Sequence, residues 1–433
     1  MYSIVIDNKI AKNTIYINAQ SLKKNNIKCD KIILHFGLLE KELIISVNNH
    51  IEPLTIIIPQ KLTEEIYIPN LPYESYFQEN HLVLGPVIGY LIASNYRMQD
   101  STTLCFGNYD KIKGLIFIFQ EKAINKRSKT IQGYYYNERT KTFVKGVFPY
   151  PRAVYVRKYI KRGTFEHLRK HMGDKIFNYP YNIDKLSMWQ MLSKDTELID
   201  HLPKTITYTD IEKLFETLKL YNEVYLKPFN KSRGRGILYL KKFKNWYILK
   251  DEFSRRLTIK TKIDLEKILQ KKLNKNTIYL IQEAIPFQDG NNKVDFRVYI
   301  QKDHTKEWKY SGMETKIANK GSIISNSRNR EKVIPGERAL KEIFHLDVNK
   351  VDLIINEIAQ LCTKALEIIE NNNYHIGDAA IDLIIDKDLK IWLLEVQLNY
   401  ARLKKAKRTE DEALILPAIL PTPFEYAKAL TEF

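Results

Sequence analysis

The chain has 433 residues, more than one hydrophobic core usually serves, so two to four domains of ~100–200 residues each are expected. Hydrophobic residues at 44% and aromatic residues at 11% exclude wholesale disorder. Lys+Arg at 69 against Asp+Glu at 51 leave a net charge of +18, which attracts polyanions, but the runs RKYIKR (157–162) and KKAKR (404–408) are short and the charge reads as general surface composition rather than as a nucleic-acid module.

The segments SIVI, TIYI, KIILHF, LIISV and LTIII read as short strands separated by Asn, Lys and Pro. They predict a β-rich N-terminal domain over 1–78, with a helix only at Ala19–Asn25. From His81 the pattern changes. HLVLGPVIGYLIA is a strand broken at Gly85–Pro86, GLIFIF (114–119) is a second buried strand, and FPYPRAVYVR (148–157) precedes a helix over Phe165–Met172. Strands alternating with helices predict a small α/β domain over 79–180. Residues 181–433 read as a longer α+β region with helices at Asp184–Ser193, Thr209–Leu218, Leu265–Leu273 and Val351–Glu370, and a last one from Pro423. The helix over 351–370 follows a 3.6-residue apolar period.

Cys29, Cys105 and Cys362 form no C-x-x-C pair, so neither a disulfide framework nor a zinc ribbon is indicated. The N-terminus lacks a signal-peptide core, and the apolar runs are too short to span a bilayer. A soluble, cytoplasmic protein is expected. His167 and His171 have helical i, i+4 spacing, but no third zinc ligand accompanies them, and they read as solvent-facing.

Four segments carry chemistry. In EVYLKPFNKSRGRGILYL (223–240) two strands flank a loop with Ser232, Gly234 and Gly236. This is neither a Walker A nor a Rossmann turn, because no helix follows. Such a hairpin can close backbone N–H groups over phosphates while Lys227 supplies positive charge. In TIYLIQEAIPF (277–287) a buried strand ends at Gln282, Glu283, Ala284 and Ile285, where backbone groups can meet an adenine edge. In VDFRVYI (294–300) Asp295 and Arg297 alternate with apolar residues, and Lys316, Lys320 and Asn326 follow as further polar candidates. In HIGDAAIDLIIDKDLKIWLLEVQLNY (375–400) Asp382 and Glu395 fall close together across a hairpin that turns near residue 388, with Gln397 on the same face. Two carboxylates and an amide oxygen suit Mg²⁺.

In this order the segments resemble the ATP-grasp superfamily, and more narrowly the YheC/YheD-type endospore coat-associated family. LGPVIGYL, FPYPRAVYVR, IFNYPYNIDKLSMWQML, LKPFNKSRGRGI, QEAI, DFRVYIQKD and PFEYAKAL carry the resemblance, over roughly residues 81–433. It implies an ATP-grasp fold: two α+β subdomains gripping ATP, with a glycine-lid subdomain at about 205–285, preceded by a pre-ATP-grasp domain and the N-terminal β domain. It also implies roles. Lys185 and Lys227 contact the α- and β-phosphates. Ser232, Gly234 and Gly236 form the lid, and Gln282, Glu283 and Ile285 line the adenine pocket. Asp382, Glu395 and Gln397 hold Mg²⁺, and Arg297, Lys316 and Asn326 steady the transferred phosphoryl group and the acceptor. The sequence departs from the family pattern at Gln397, where Asn is usual, at Lys231, where glycine is common, and at Ala380, where Arg is frequent.

The implied activity is ATP-dependent carboxylate–amine ligation through an acyl phosphate. The carboxylate and amine substrates would be an amino acid, a peptide or a protein, with an acidic peptide or coat-protein tail suggested by the charge. The alternatives are a small-molecule kinase and an ATP-binding spore-coat component with little turnover. Nucleic acid is disfavoured and no membrane partner is indicated.

Overall fold

The computed structural model describes residues 2–93, 100–180, 182–286, 292–326, 328–400, 415 and 417–433. The basic run at 404–408 lies outside the described residues. Among the described residues, four sheets follow one another along the chain.

The first sheet contains all five expected N-terminal strands: Ser3–Asp7, Thr14–Ile17, Lys31–Phe36, Leu39–Val47 and Thr55–Pro59. Period-two alternation buries one face; Ile32, Leu34 and Phe36 are inside. Glu74–Gln78 and His81–Gly85 complete this sheet, the latter parallel to Lys31–Phe36. Sequence reading grouped the whole segment from His81 with the second region. The structure divides it at Gly85–Pro86: His81–Gly85 stays in the first sheet and Val87–Ile92 enters the second. Pro86 has no N–H to donate to a ladder, so pairing changes partners there.

The second sheet is built on parallel strands Val87–Ile92, Leu115–Gln120, Ala153–Val156 and Ile176–Phe177. Their near-continuous apolar runs fit burial on both faces. The hairpin Thr130–Asn137/Thr142–Pro149 adds antiparallel strands. In helix Arg162–Met172 the two histidines do not simply face solvent. Both rings pack edge-on against Tyr150, and His167 Nε2 lies 3.0 Å from the Tyr150 hydroxyl. The buried tyrosine offers them an aromatic edge and a polar partner that the linear sequence does not reveal.

The third sheet is antiparallel, in the order Thr205–Thr207, Tyr279–Glu283, Glu223–Pro228, Leu238–Lys242, Tyr247–Asp251, Arg256–Ile259. Helices Ile211–Tyr221 and Lys262–Lys272 cover one face, burying Leu214, Leu218, Leu265 and Leu269 against Leu240, Leu249 and Ile281. The first helix begins at Ile211 because the Asp210 side chain caps it, accepting from the Lys213 N–H.

The fourth sheet is also antiparallel: Arg330–Pro335, Trp308–Ala318, Val294–Lys302, Asp378–Ile385, Ile391–Gln397. Helix Val348–Glu370, capped by Asp347, buries Val351, Ile354, Ile358, Leu361, Ala365 and Ile369 against the sheet. Helices therefore claim one face of this sheet, leaving its polar alternates on the other.

Helix Thr422–Leu430 ties the parts together. Phe424 and Ala427 pack into the second sheet's core, Lys428 Nζ meets Glu74 Oε1 at 2.8 Å, and the Phe433 ring fills the space where a Cβ at Gly85 would stand. Among the described residues, no helix is long and apolar enough to cross a membrane.

Candidate functional site

The polar face of the fourth sheet meets the third sheet's strand Glu223–Pro228: Lys293 Nζ lies 5.6 Å from the centre of the Tyr225 ring, and the Tyr225 hydroxyl donates to the Ile323 carbonyl at 3.3 Å. On the fourth sheet, register places Arg297 opposite Asp382, and Asp382 opposite Glu395. Arg297 Nε and Nη2 donate to the two Asp382 oxygens at 2.7 and 2.8 Å, a bidentate pair. Lys316 Nζ adds a contact at 3.2 Å and Gln397 Nε2 one at 3.0 Å. Burial opposes the charged carboxylate, but Arg297 and Lys316 outweigh it and hold Asp382 well below the usual carboxylate range. The hairpin geometry expected from the sequence is therefore present. Asp382, Glu395 and Gln397 carry the oxygen atoms that Mg²⁺ prefers, but here Arg297 engages both Asp382 oxygens and Gln397 turns its amide N–H to one of them, and among the described residues no group of three His, Cys, Asp or Glu side chains is gathered as for a metal ion.

Lys185 opens helix Lys185–Leu192. A cation at a helix N-terminus opposes the helix dipole, so it needs anionic or carbonyl partners. It has both: Glu395 Oε1 at 3.3 Å and the Lys231 carbonyl at 2.8 Å. Lys227 reaches the Gln282 side-chain oxygen. Its ammonium is drawn down to about 7, first by burial, then by the neighbouring Lys293 and Lys185, with Glu395 and Asp295 opposing. A buried lysine beside two others suits a polyanionic ligand.

The depressed Lys227 makes a prediction with a definite sign. Above about pH 7 the folded protein releases this proton, whereas the unfolded chain keeps it to about 10.4, so this group's contribution to stability rises with pH across that window. Affinity for any polyanion that this lysine holds would run the other way, because a polyanion is held by the ammonium and not by the amine; ATP serves as the probe. Titrating ATP affinity from about pH 6 to about pH 9 should show weakening through neutrality that Lys227→Met removes. A flat wild-type profile would contradict this.

The glycine loop packs on the segment that carries Ile324 and Asn326. Gly234 and Gly236 have φ of +71° and +73°, values that glycine adopts without strain. A Cβ at Gly234 would come within 2.6 Å of Ile324 Cδ1, so the loop sits directly on the opposing segment. Asn326 Nδ2 donates to the Arg233 carbonyl at 2.9 Å, and the Ser232 carbonyl accepts from the Arg235 N–H at 3.4 Å.

At the hinge, Gln282 bridges Lys227 and Thr205 Oγ1, the latter at 2.9 Å. Glu283 is tied to Lys204, its N–H donating to the Lys204 carbonyl at 2.9 Å and its carboxylate accepting the Lys204 N–H at 3.1 Å. The Ala284 N–H donates to the Glu223 carbonyl at 3.1 Å. Two of the N–H groups expected to face an adenine edge are therefore committed within the protein. Ile285 beyond them is buried.

These contacts link Lys185, Lys227, Gln282, Arg297, Lys316, Asp382, Glu395 and Gln397. Ser232, Gly234 and Gly236 stand on the glycine loop that packs against Ile324 and Asn326, and Glu283 is turned to Lys204. Sequence reasoning passed over Lys293, whose Nζ lies 3.0 Å from Asp295 Oδ1 while the other Asp295 oxygen accepts from Ser325. Strand alternation was the available signal, since Lys293, Asp295 and Arg297 share a face.

It also misread Arg157 as part of a surface run. The Arg157 side chain is buried, pairing with Asp378 at 3.0 Å and donating to the Leu398 and Tyr400 carbonyls at 3.0 and 2.6 Å. Asp378 also accepts from Tyr155, Gln301 and Tyr400. This network anchors the chain just beyond Gln397. Ala380, where the family resemblance suggests Arg, packs with Tyr299 and Tyr400.

A family model for YheC/D like ATP-grasp proteins matches residues 173–430. Endospore coat-associated protein YheD of Bacillus subtilis (strain 168) is 25% identical over 419 residues, covering 91% of this chain and 89% of that protein. Endospore coat-associated protein YheC of the same organism is 21% identical over 310 residues, covering 67% and 82%. Among solved structures, the ATP-grasp ligase PsnB complexed with minimal precursor, Mg and ADP aligns at 13% identity and a TM-score of 0.44, over 80% of this chain and 98% of that one. The D-alanine-D-alanine ligase from Coxiella burnetii aligns at 11% identity and a TM-score of 0.41, over 80% and 96%. The family match spans the glycine loop, Lys185, Lys227, Arg297 and the carboxylate hairpin, and the chain, α+β with an ATP-grasp fold, belongs to the YheC/D-like ATP-grasp family.

Proposed function

We propose that the protein is an ATP-dependent carboxylate–amine ligase that forms an amide through an acyl phosphate. One observation supports the reading: Lys185 Nζ lies 3.3 Å from Glu395 Oε1 across 210 residues of sequence, so the lysine proposed to bind phosphate lies beside a carboxylate proposed to bind metal. Lys185 and Lys227 neutralise the α- and β-phosphates, and the loop with Ser232, Gly234 and Gly236 closes over them. Gln282, Glu283 and Ile285 border the base. Arg297, Lys316 and Asn326 face the γ-phosphoryl group and the acceptor. Mg²⁺ held by Asp382, Glu395 and Gln397 would offset charge on the triphosphate.

A carboxylate oxygen of the acceptor attacks the γ-phosphorus as the bond to ADP breaks. The amine then attacks the acyl carbon, phosphate leaves, and the amine loses a proton. Lid closure excludes the water that would hydrolyse the acyl phosphate. The acceptor is an amino acid, a peptide or a protein; the net charge of +18 favours an acidic one. The names of the curated relatives suggest spore coat assembly as the setting. The same proposal divides the chain at Gly85–Pro86 and near residue 181, with residues 205–285 as the lid, a division supported by the sheet boundaries.

One observation favours a second reading, an ATP-binding coat component with little turnover: Arg297 engages both oxygens of Asp382, the residue that would hold metal. Incubation with Mg-ATP, candidate amino acids and acidic peptides, read by mass spectrometry, separates the cases. The ligase yields an amide with equal amounts of ADP and phosphate. A stable phosphorylated product would make it a kinase, and the absence of substrate-dependent ADP would favour the coat component.

A further inference from the structure

The glycine loop and the segment carrying Asn326 belong to different sheets, yet they are joined by a closed circuit of hydrogen bonds. The Gly236 N–H donates to Glu252 Oε2 at 2.7 Å. The Glu252 carbonyl accepts from Asn329 Nδ2 at 3.0 Å. Asn329 donates to Asn326 Oδ1 through its backbone N–H at 3.1 Å and its side-chain amide at 3.3 Å. Asn326 Nδ2 returns to the Arg233 carbonyl at 2.9 Å. The Arg233 end of the loop is thereby fastened directly to the opposing segment, and the Gly236 end through Glu252 of the loop's own sheet, whose carbonyl holds Asn329. The Glu252 carboxylate supplies the charged bond, the strongest kind in such a ring.

Further contacts run beside the circuit. Lys250 Nζ donates to the Gly321 carbonyl at 3.1 Å, and the Tyr225 hydroxyl to the Ile323 carbonyl at 3.3 Å. The loop has little freedom to move alone, because Gly234 rests on Ile324.

We infer that Glu252 is a positioning residue that makes the nucleotide lid and the acceptor-side loop open and close as one body. Its place between strands Tyr247–Asp251 and Arg256–Ile259 lets its side chain hold the lid while its main chain holds Asn329. The consequence for turnover rests on the ligase reading above: a lid closed without its acceptor loop would hold ATP but leave the acyl phosphate open to water. The mechanical link itself does not need that reading.

Hydrogen exchange on the full chain tests the link without nucleotide. Glu252→Ala should speed exchange about tenfold at residues 232–236 and also at 322–326, the amount expected from losing one charged hydrogen bond. Strand Leu238–Lys242 serves as an unchanged internal reference. Glu252→Gln, which keeps an accepting oxygen, should restore most of the protection. Asn329→Ala should give the same pattern, and the double variant should be no worse than the worse single one. Faster exchange confined to 232–236, or strictly additive effects, would overturn the inference. Adding Mg-ATP should slow exchange in both segments of the wild type. No slowing anywhere would count against the ATP reading and not against the link. Where turnover is measurable, Glu252→Ala should raise hydrolysis uncoupled from product while changing KM for ATP less than kcat for amide formation.

Discussion

Asp378→Ala is expected to lower stability by about 3–5 kcal/mol, the cost of leaving a buried charge without its partner. Asp378 is fully buried and Arg157 nearly so, at 0% and 7% side-chain exposure. With alanine in place, the guanidinium keeps the Leu398 and Tyr400 carbonyls but loses the Asp378 carboxylate, and Tyr155, Gln301 and Tyr400 lose their common acceptor. Denaturant unfolding measures the loss. Asp378→Asn should cost less, because an amide oxygen can still accept. Combining Asp378→Ala with Arg157→Met should recover part of the loss, since the stranded charge is removed as well. A change under about 1 kcal/mol in Asp378→Ala would mean that the network is solvated rather than buried. Because Arg157 follows a strand of the second sheet and Asp378 begins one of the fourth, the same variant should loosen the contact between the two.

Glu395→Ala should have the opposite profile, with a large loss of activity and little loss of stability. Its side chain is 25% exposed and its ion pair with Lys185 is loose at 3.3 Å, so by analogy with surface pairs its deletion costs at most about 1 kcal/mol. Its chemistry is less replaceable. It is the carboxylate opposite Asp382, and the one that meets Lys185, the lysine proposed to bind phosphate. Removing a group aimed at the charge developing on a reacting centre typically costs about 100- to 1,000-fold in rate. Substrate-dependent ADP release should fall by that order, with the unfolding midpoint nearly unchanged. Glu395→Gln, isosteric but uncharged, should stay close to the alanine variant. Turnover within a factor of about three of wild type, against that expectation, would remove Glu395 from the site.

Much of the site was legible because its chemistry sits on short local patterns. Asp382 and Glu395 flank one turn, so strand periodicity alone places them together, and the register bears this out. The apolar stripe of helix Val348–Glu370 needed only a 3.6-residue count. The histidines of helix Arg162–Met172 were misread, because Tyr150 lies outside any local window.

By itself the sequence determined the five N-terminal strands, the long helix Val348–Glu370, the pairing of the Asp382–Glu395 hairpin and the family, since each depends on spacing within one segment. Only the tertiary structure decided that Arg157 is a buried clamp, that Lys293 joins the lysine cluster, and that Glu252 and Asn329 lie on a chain of hydrogen bonds between the glycine loop and the segment carrying Asn326. Arg157 and Asp378 stand 221 residues apart. A lone arginine in a basic run has the same local signature whether it ends in water or in a core. Burial and counter-charge are properties of the packed chain, and no periodicity encodes them.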